Sequence, residues 1–184
     1  MFLENDIYKI NISKDETFTI DSTDNKPYDI ILNPLNIKRS DYYKAISISI
    51  ETASNQTNLV MVGSICGSVE DIAILEGSTL IVLMDTRITA IDCETLAIKS
   101  SNDISDFGIY FSLHRFYDGY IVYGELDIIK LSIELKPEWS FYGEDIFVSL
   151  DGRRCPFSIK GDTIALIDWN GKEYIIDKFG KQLK

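Results

Sequence analysis

The chain has 184 residues, 45% of them hydrophobic and 26% charged, so it is long enough to bury a substantial core and we expect one domain spanning residues 1–184. Its longest aliphatic run, residues 80–84, is far shorter than the ~18 residues that a membrane-spanning helix needs, which excludes such a helix. The net charge of −11 arises in residues 68–151, which hold 16 of the 29 acidic but 5 of the 18 basic residues. The negative electrostatic field of this segment argues against direct binding to nucleic acid or anionic lipid.

The N-terminal segment predicts the compartment. The stretch MFLENDIYKINISKDE carries Glu4 and Asp6 where a secretory signal would have a basic flank before a long apolar core. The three cysteines, Cys66, Cys93 and Cys155, are odd in number and form no CxxC pair, which indicates reduced thiols rather than a disulfide framework. We therefore predict a cytoplasmic protein.

Residues 1–67 predict an irregular β region. Two short segments, residues 18–20 and the alternating residues 46–50, are typical of strands with one buried face. Residues 58–65 are expected to pair with the second of them across the polar turn at residues 53–57. Asn33 and Pro34 predict a loop or a single helical turn.

Residues 68–184 contain a repeat with a period of about 42 residues. Gly77, Gly119 and Gly161 are 42 residues apart, and each opens a short apolar run that is followed about eight positions later by polar turn residues. A second run then ends in an isoleucine fourteen residues past each glycine, and acidic or turn residues close each unit. The runs that follow the glycines are residues 80–84, 120–123 and 163–167, and the runs that precede them are residues 71–75, 109–116 and 156–159.

Each repeat therefore holds four short β runs separated by tight turns. No window of eleven or more residues keeps a 3.6-residue apolar period, so helices are expected to be few and short. Pro137 falls at the start of the fourth run of its unit, where an edge strand tolerates the missing amide donor. Four short strands in ~42 residues are typical of a β-propeller blade. The sequence predicts an all-β fold, a partial or small propeller of three to four four-stranded blades with an irregular N-terminal sheet.

The segment LIVLMDTRITAIDCETL resembles the blades of WD-repeat and quinoprotein-like propellers in its strand, x-Asp-x turn and second strand. The resemblance covers about residues 68–184. It lacks the Trp-Asp and Gly-His pairs that mark true WD repeats, so it implies blade structure and none of the ligands of those families.

The residue types of an active site or metal site are sparse. His114 is the one histidine, and a single imidazole cannot supply the several ligands that a zinc site needs. It is also the sole candidate base for a Ser or Cys nucleophile. The turn aspartates Asp85, Asp127 and Asp168 could form a paired-carboxylate site if the repeat brought them together, but capping of backbone amides is the expected role. No GxSxG, P-loop or GxGxxG occurs. We predict no enzyme, no cofactor and no metal.

Aromatic residues mark the candidate binding surface. Residues 107–147 hold 11 of the 21 aromatic residues, and adjacent pairs such as Phe116-Tyr117 and Phe141-Tyr142 must turn one member outward if they lie in strands. Exposed aromatic side chains beside acids are typical of protein-binding patches, although aromatic packing within blades is the alternative. The predicted partner-binding residues are Tyr117, Asp118, Glu125, Asp127, Trp139, Tyr142, Glu144 and Asp145.

In its small size, its acidity and its lack of catalytic motifs, the chain resembles the bacterial immunity proteins that neutralise contact-dependent toxins. That resemblance implies an inhibitor whose acidic surface covers a basic, nuclease-type toxin. Two alternatives stay open: a propeller that binds or converts a small ligand in its channel, and a scaffold module of a larger complex.

Overall fold

The computed structural model describes residues 1–66, 68–148 and 156–184, and within them every regular element is a strand. Cys155, predicted to be a reduced thiol, lies outside the described residues; Cys66 and Cys93 are free. The described part of the chain contains no helix that could cross a membrane. The sixteen described strands are β1 Phe2–Glu4, β2 Lys9–Lys14, β3 Ile30–Leu32, β4 Lys44–Glu51, β5 Gln56–Gly63, β6 Ala73–Glu76, β7 Thr79–Met84, β8 Arg87–Asp92, β9 Ile98–Asp103, β10 Tyr110–Phe116, β11 Gly119–Gly124, β12 Asp127–Leu131, β13 Pro137–Tyr142, β14 Phe157–Lys160, β15 Thr163–Ile167 and β16 Glu173–Asp177.

The chain divides into two compact units, Met1–Asn102 and Asp103–Lys184. Unit 1 contains a five-stranded sheet in the order β1-β2-β4-β5-β3 and a four-stranded antiparallel sheet in the order β6-β7-β8-β9. Unit 2 contains the four-stranded sheet β10-β11-β12-β13 and the three-stranded sheet β14-β15-β16. The prediction of one domain over residues 1–184 stays a prediction.

The N-terminal sheet confirms the predicted hairpin and corrects one strand. β4 pairs with β5 across residues 52–55, and Ile46, Ile48 and Ile50 are buried, as the alternation predicts. The predicted strand at residues 18–20 is wrong. Phe18 is buried, but the segment is irregular, and the second strand that pairs with β4 is β2.

The later sheets have the strand order of propeller blades. β6 to β9 and β10 to β13 are four-stranded meanders in which each strand pairs with the next in the chain. In the third sheet the C-terminal segment takes the fourth place: Gln182 forms a bridge to Ile176, and the Leu183 amide donates to the Ile175 carbonyl at 2.7 Å. Pro137 begins the edge strand β13, as predicted. The predicted all-β class with blade-type sheets is confirmed.

The turn between the first and second strands of each blade shows that Gly119 is not structurally equivalent to Gly77 and Gly161. Gly77 and Gly161 adopt left-handed conformations, with φ of 56° and 63°, two residues before β7 and β15 begin. The equivalent residue before β11 is Tyr117, with φ of 52°. Gly119 instead begins β11, where an added Cβ would lie 2.1 Å from the Leu131 carbonyl oxygen. Gly119 is therefore required by the close approach of β12, whereas Gly77 and Gly161 are required by their left-handed backbone conformation.

The predicted ends of the second runs hold in two blades. β8 and β16 contain Ile91 and Ile175, but β12 ends at Leu131, so the prediction that Ile133 closes a strand is wrong. Ile133 lies 47% exposed in the turn that follows. That turn begins earlier because the Leu135 amide bonds to the Ser132 carbonyl.

The turn between the third and fourth strands repeats one capping arrangement. Asp92 accepts hydrogen bonds from the backbone amides of Glu94 and Thr95. In the next blade the Ser132 hydroxyl accepts from the amide of Glu134, and in the last blade the Asp177 carboxylate accepts from that of Phe179. These polar residues satisfy amides that the tight turn leaves without strand partners.

Candidate functional site

The meander of unit 2 has two ends, because each turn reverses the chain. The β10–β11 and β12–β13 turns lie at one end of the sheet, and the β11–β12 turn and the residues after β13 lie at the other. The eight predicted partner-binding residues therefore divide between two places. Tyr117 and Asp118 lie at the first end, Trp139 is inside β13, and Glu125, Asp127, Tyr142, Glu144 and Asp145 lie at the second end.

Lysine side chains contact an acidic pair and an exposed tyrosine at the first end, which we call the Lys130 end. The buried Lys130 ammonium lies 3.0 Å from a carboxylate oxygen of Asp118 and 3.0 Å from one of Glu138. Lys130 holds the pKa of Asp118 below its usual value. The Lys178 ammonium lies 4.1 Å from the centre of the Tyr117 ring, a cation–π contact. Tyr117 is 59% exposed, but it already has a cationic neighbour.

Trp139 supports the fold of unit 2. It is half-buried, packs against the aromatic core, and donates its indole N–H to the Lys178 carbonyl at 3.3 Å. A Cβ at Gly180 would lie 2.8 Å from its ring, so the glycine allows the indole to pack against the turn. Much of its apolar surface is therefore already in contact with this chain.

Backbone bonds assemble the second end from three segments. The Phe147 amide donates to the Glu125 carbonyl at 2.6 Å, and the Trp169 amide donates to the Ile146 carbonyl at 2.8 Å. These bonds bring the β11–β12 turn, the residues after β13 and the β15–β16 turn together. We call the resulting surface the acidic rim and define it by six residues, Glu125, Leu126, Tyr142, Glu144, Asp145 and Trp169.

The acidic rim combines exposed apolar surface with acids. Leu126, Tyr142 and Trp169 are 40%, 56% and 42% exposed. Lys172 forms an ion pair with Glu144, and Glu144 raises the pKa of that lysine. The Asp145 carboxylate accepts from the neutral Asn170 amide at 2.7 Å. Among the described residues, Lys172 is the one cation with an ion pair at this surface, so the rim keeps a net negative charge.

Asp127 lies beside the rim but is buried, with 4% of its surface exposed. Burial raises the pKa of Asp127, while the nearby hydroxyls of Tyr110 and Tyr142 partly lower it. The structure therefore places this predicted residue below the surface, where a broad protein face would not reach it. A single side chain inserted into a groove would reach Asp127.

Two further groups examined for chemistry have structural partners. The His114 ring nitrogen Nε2 lies 2.7 Å from the Ser112 hydroxyl, and the ring packs against Phe157. Asp168 accepts from the Lys172 amide at 2.9 Å and from the Tyr174 hydroxyl at 2.7 Å. The described residues contain no group of three or more His, Cys, Asp or Glu side chains that could hold a metal ion.

Sequence reasoning missed Leu126, Trp169 and Lys172 as members of this surface. Trp169 follows an apolar strand in the stretch IDWNG and sits in a turn, where a large aromatic side chain has no strand partner to cover it. A tryptophan in a turn after an apolar strand is a sequence signal for an exposed aromatic side chain. Its position beside Asp145 depends on packing between two blades and could not be read from local pattern.

No family model matches the chain, and no curated protein matches it significantly. Among solved structures, the WD40 domain of Neurospora crassa Pan2 is similar with a TM-score of 0.47 and 15% identity over 62% of this chain and 36% of that one. The AfRom2 CNH domain has a TM-score of 0.45 and 10% identity over 77% and 46%. Kluyvelomyces marxianus Hsv2 has a TM-score of 0.42 and 8% identity over 75% and 46%.

The chain spans between about a third and a half of the length of these three structures. The fold assignment rests on the strand order and register of the chain itself, which define an all-β protein built from blade-type sheets.

Proposed function

We propose that this chain is a protein-binding module whose acidic rim engages a basic partner. The observation that carries the proposal is the coincidence of exposed Tyr142, Trp169 and Leu126 with Glu125, Glu144 and Asp145 at one end of unit 2. Aromatic side chains bury large areas at low entropic cost, and charges around them steer association and select a partner of opposite sign.

The Lys130 end is less suited to this role. Asp118 and Glu138 already have Lys130 as a partner, and Trp139 packs within unit 2. Of the eight predicted residues, we retain Glu125, Tyr142, Glu144 and Asp145 as surface contacts and treat Tyr117, Asp118 and Trp139 as structural.

The finer proposal is inhibition of a basic toxin, as immunity proteins do. It is supported by the charge of the rim and by the overall charge of −11. A scaffold module would use the same surface, so the two functions differ in the partner. An inhibited partner should be toxic when expressed alone and harmless when co-expressed with this chain.

The test compares two double variants with equal charge change. Glu144→Lys with Asp145→Lys reverses the rim, while Glu134→Lys with Asp162→Lys reverses two exposed acids at the Lys130 end. We expect the bound partner to be basic, its affinity to fall at least tenfold in the rim variant and with added salt, and the control to bind normally. Trp169→Ala should also weaken binding at least tenfold. Equal binding by both double variants, or binding unaffected by salt, would reject the proposal.

A further inference from the structure

A polar groove with a volume of about 280 Å³ lies in unit 2 beside the acidic rim. Its lining includes apolar side chains of Ile104, Ile129 and Pro137, the small residues Ser105 and Ser140, and the carboxylate residue Asp127. Lined in this way, the groove can take an extended side chain with an apolar stem and a polar end.

The strand register explains how Asp127 comes to line this groove. Tyr110 pairs with Gly124, and Asp127 pairs with Tyr142, so one cross-strand row on the sheet places a tyrosine on either side of the aspartate. A Cβ at Gly124 would lie 2.6 Å from the Tyr110 ring and 2.9 Å from the Asp127 carbonyl oxygen. The glycine thus leaves room for Tyr110 to pack close to Asp127.

The polar groups of this row are not fully satisfied within the chain. Nowhere in residues 1–66, 68–148 and 156–184 does a basic side chain form an ion pair with Asp127. The Tyr110 hydroxyl is buried beside this carboxylate and makes no well-formed hydrogen bond to any described residue. A buried carboxylate without a counter-ion is costly to ionise, and a cationic ligand in the groove would offset that cost.

We propose that the Asp127 groove is a subsite for a guanidinium group, the head of an arginine side chain of the partner. The guanidinium would meet the Asp127 carboxylate in a charge-assisted hydrogen bond, and its planar face would lie along the ring of Tyr142, which is 56% exposed. The methylene stem would contact Ile104 and Ile129. The compact, strongly hydrated ammonium of lysine would gain less from the aromatic and apolar wall. This subsite rests on the proposed function, because it names one side chain of the basic partner.

Binding of a small probe tests the subsite without the partner. N-acetyl-arginine methylamide would be titrated into the Trp169→Phe protein, in which Trp139, a lining residue of the groove, is the remaining tryptophan. For a probe of this size we expect a Kd on the order of 1 mM. The lysine counterpart should bind several-fold more weakly, and the neutral citrulline counterpart should not bind measurably. Equal responses to the arginine and citrulline probes, or to the arginine and lysine probes, would overturn the assignment.

Variants locate the site. Asp127→Asn should lower the affinity for the arginine probe at least tenfold. Asp168→Asn alters an equally buried acid that does not line the groove, and it should leave that affinity unchanged. Ser140→Arg changes an exposed lining residue and should block the groove even if Asp127→Asn does not fold. Replacing Arg153 and Arg154 by glutamine should leave binding unchanged. An increase would assign the groove to this chain's own arginines and overturn the partner assignment.

The outcome also separates this subsite from the proposed function. If the wild-type chain binds a basic partner and Asp127→Asn binds it equally well, the subsite is wrong and the rim remains. If the arginine probe binds but no basic partner does, the groove is a guanidinium site, and both its assignment to a partner's arginine and the protein-binding function fail.

Discussion

Three buried aspartates differ in the hydrogen-bond donors that reach their carboxylates. Asp15 and Asp168 are 4% and 3% exposed, and each accepts from a tyrosine hydroxyl and a backbone amide. Asp127 is 4% exposed and has hydroxyl neighbours without a well-formed bond from Tyr110. The first two stabilise their turns through these hydrogen bonds, whereas the third would gain from a cationic partner outside the chain.

Asp15 gives a prediction for the pH dependence of stability. Burial alone would raise the pKa of Asp15, but hydrogen bonds from Thr17 and Tyr28, with help from Lys26, lower it to about 2. Because the folded-state pKa lies below the unfolded value, this carboxylate stabilises the protein above about pH 4 and the contribution disappears as the pH falls towards 2. Asp15→Asn should therefore lower the free energy of unfolding by about 1–2 kcal/mol at pH 7 and have little effect near pH 2.

Urea unfolding at the two pH values measures this difference. Asp6→Asn, which alters an exposed acid of the same unit, is the control and should change the stability by less than about 0.5 kcal/mol. A loss in Asp15→Asn that is the same at both pH values would show that the ionised carboxylate is not the source of the stability.

At the scale of elements, the strands were predictable because alternation and β-branched composition act within one segment. Residues 46–50 and 163–167 show this, since both lie in strands and the first has the predicted buried face. The strand predicted at residues 18–20 is absent because an apolar side chain can fill a core without its segment pairing in a sheet, as Phe18 does. β2 was missed, although its Ile10 and Ile12 alternate with polar residues.

The candidate site was less predictable than the strands. A single cluster could be inferred from the sequence between Tyr117 and Asp145, but the meander sends neighbouring turns to opposite ends of the sheet. The pairing of Asp118 with Lys130 and the burial of Asp127 depend on cross-strand register, which composition does not reveal.

Two glycines of the repeat provide the prediction at this scale. Gly119→Ala should lower the free energy of unfolding by about 2–3 kcal/mol, because the added methyl would lie 2.1 Å from a carbonyl oxygen that is held in the sheet. Gly161→Ala in the same unit should cost about 1 kcal/mol, because its Cβ has open space and only the left-handed conformation is strained. Urea denaturation of the two variants provides the comparison, and equal losses would refute the distinction between close approach and backbone strain.

For the whole molecule, the question is whether the two compact units unfold together. The boundary between Asn102 and Asp103 falls inside the strand β9, Ile98–Asp103, and not in a flexible Gly/Pro-rich linker. Domain boundaries usually lie in such linkers, so the continuous strand favours one cooperative domain. The 184 residues should then show a single two-state transition.

The two tryptophans allow this prediction to be tested in the unmodified chain. Trp139 and Trp169 both lie in unit 2, so tryptophan fluorescence follows unit 2 alone, whereas far-UV circular dichroism follows the strands of both units. We expect the two signals to give the same urea midpoint and the same slope, because a cooperative chain loses both units at once. Separate midpoints would show two independent domains. A small ligand of the Asp127 groove would then stabilise the fluorescence transition alone, whereas in a single domain it shifts both signals equally.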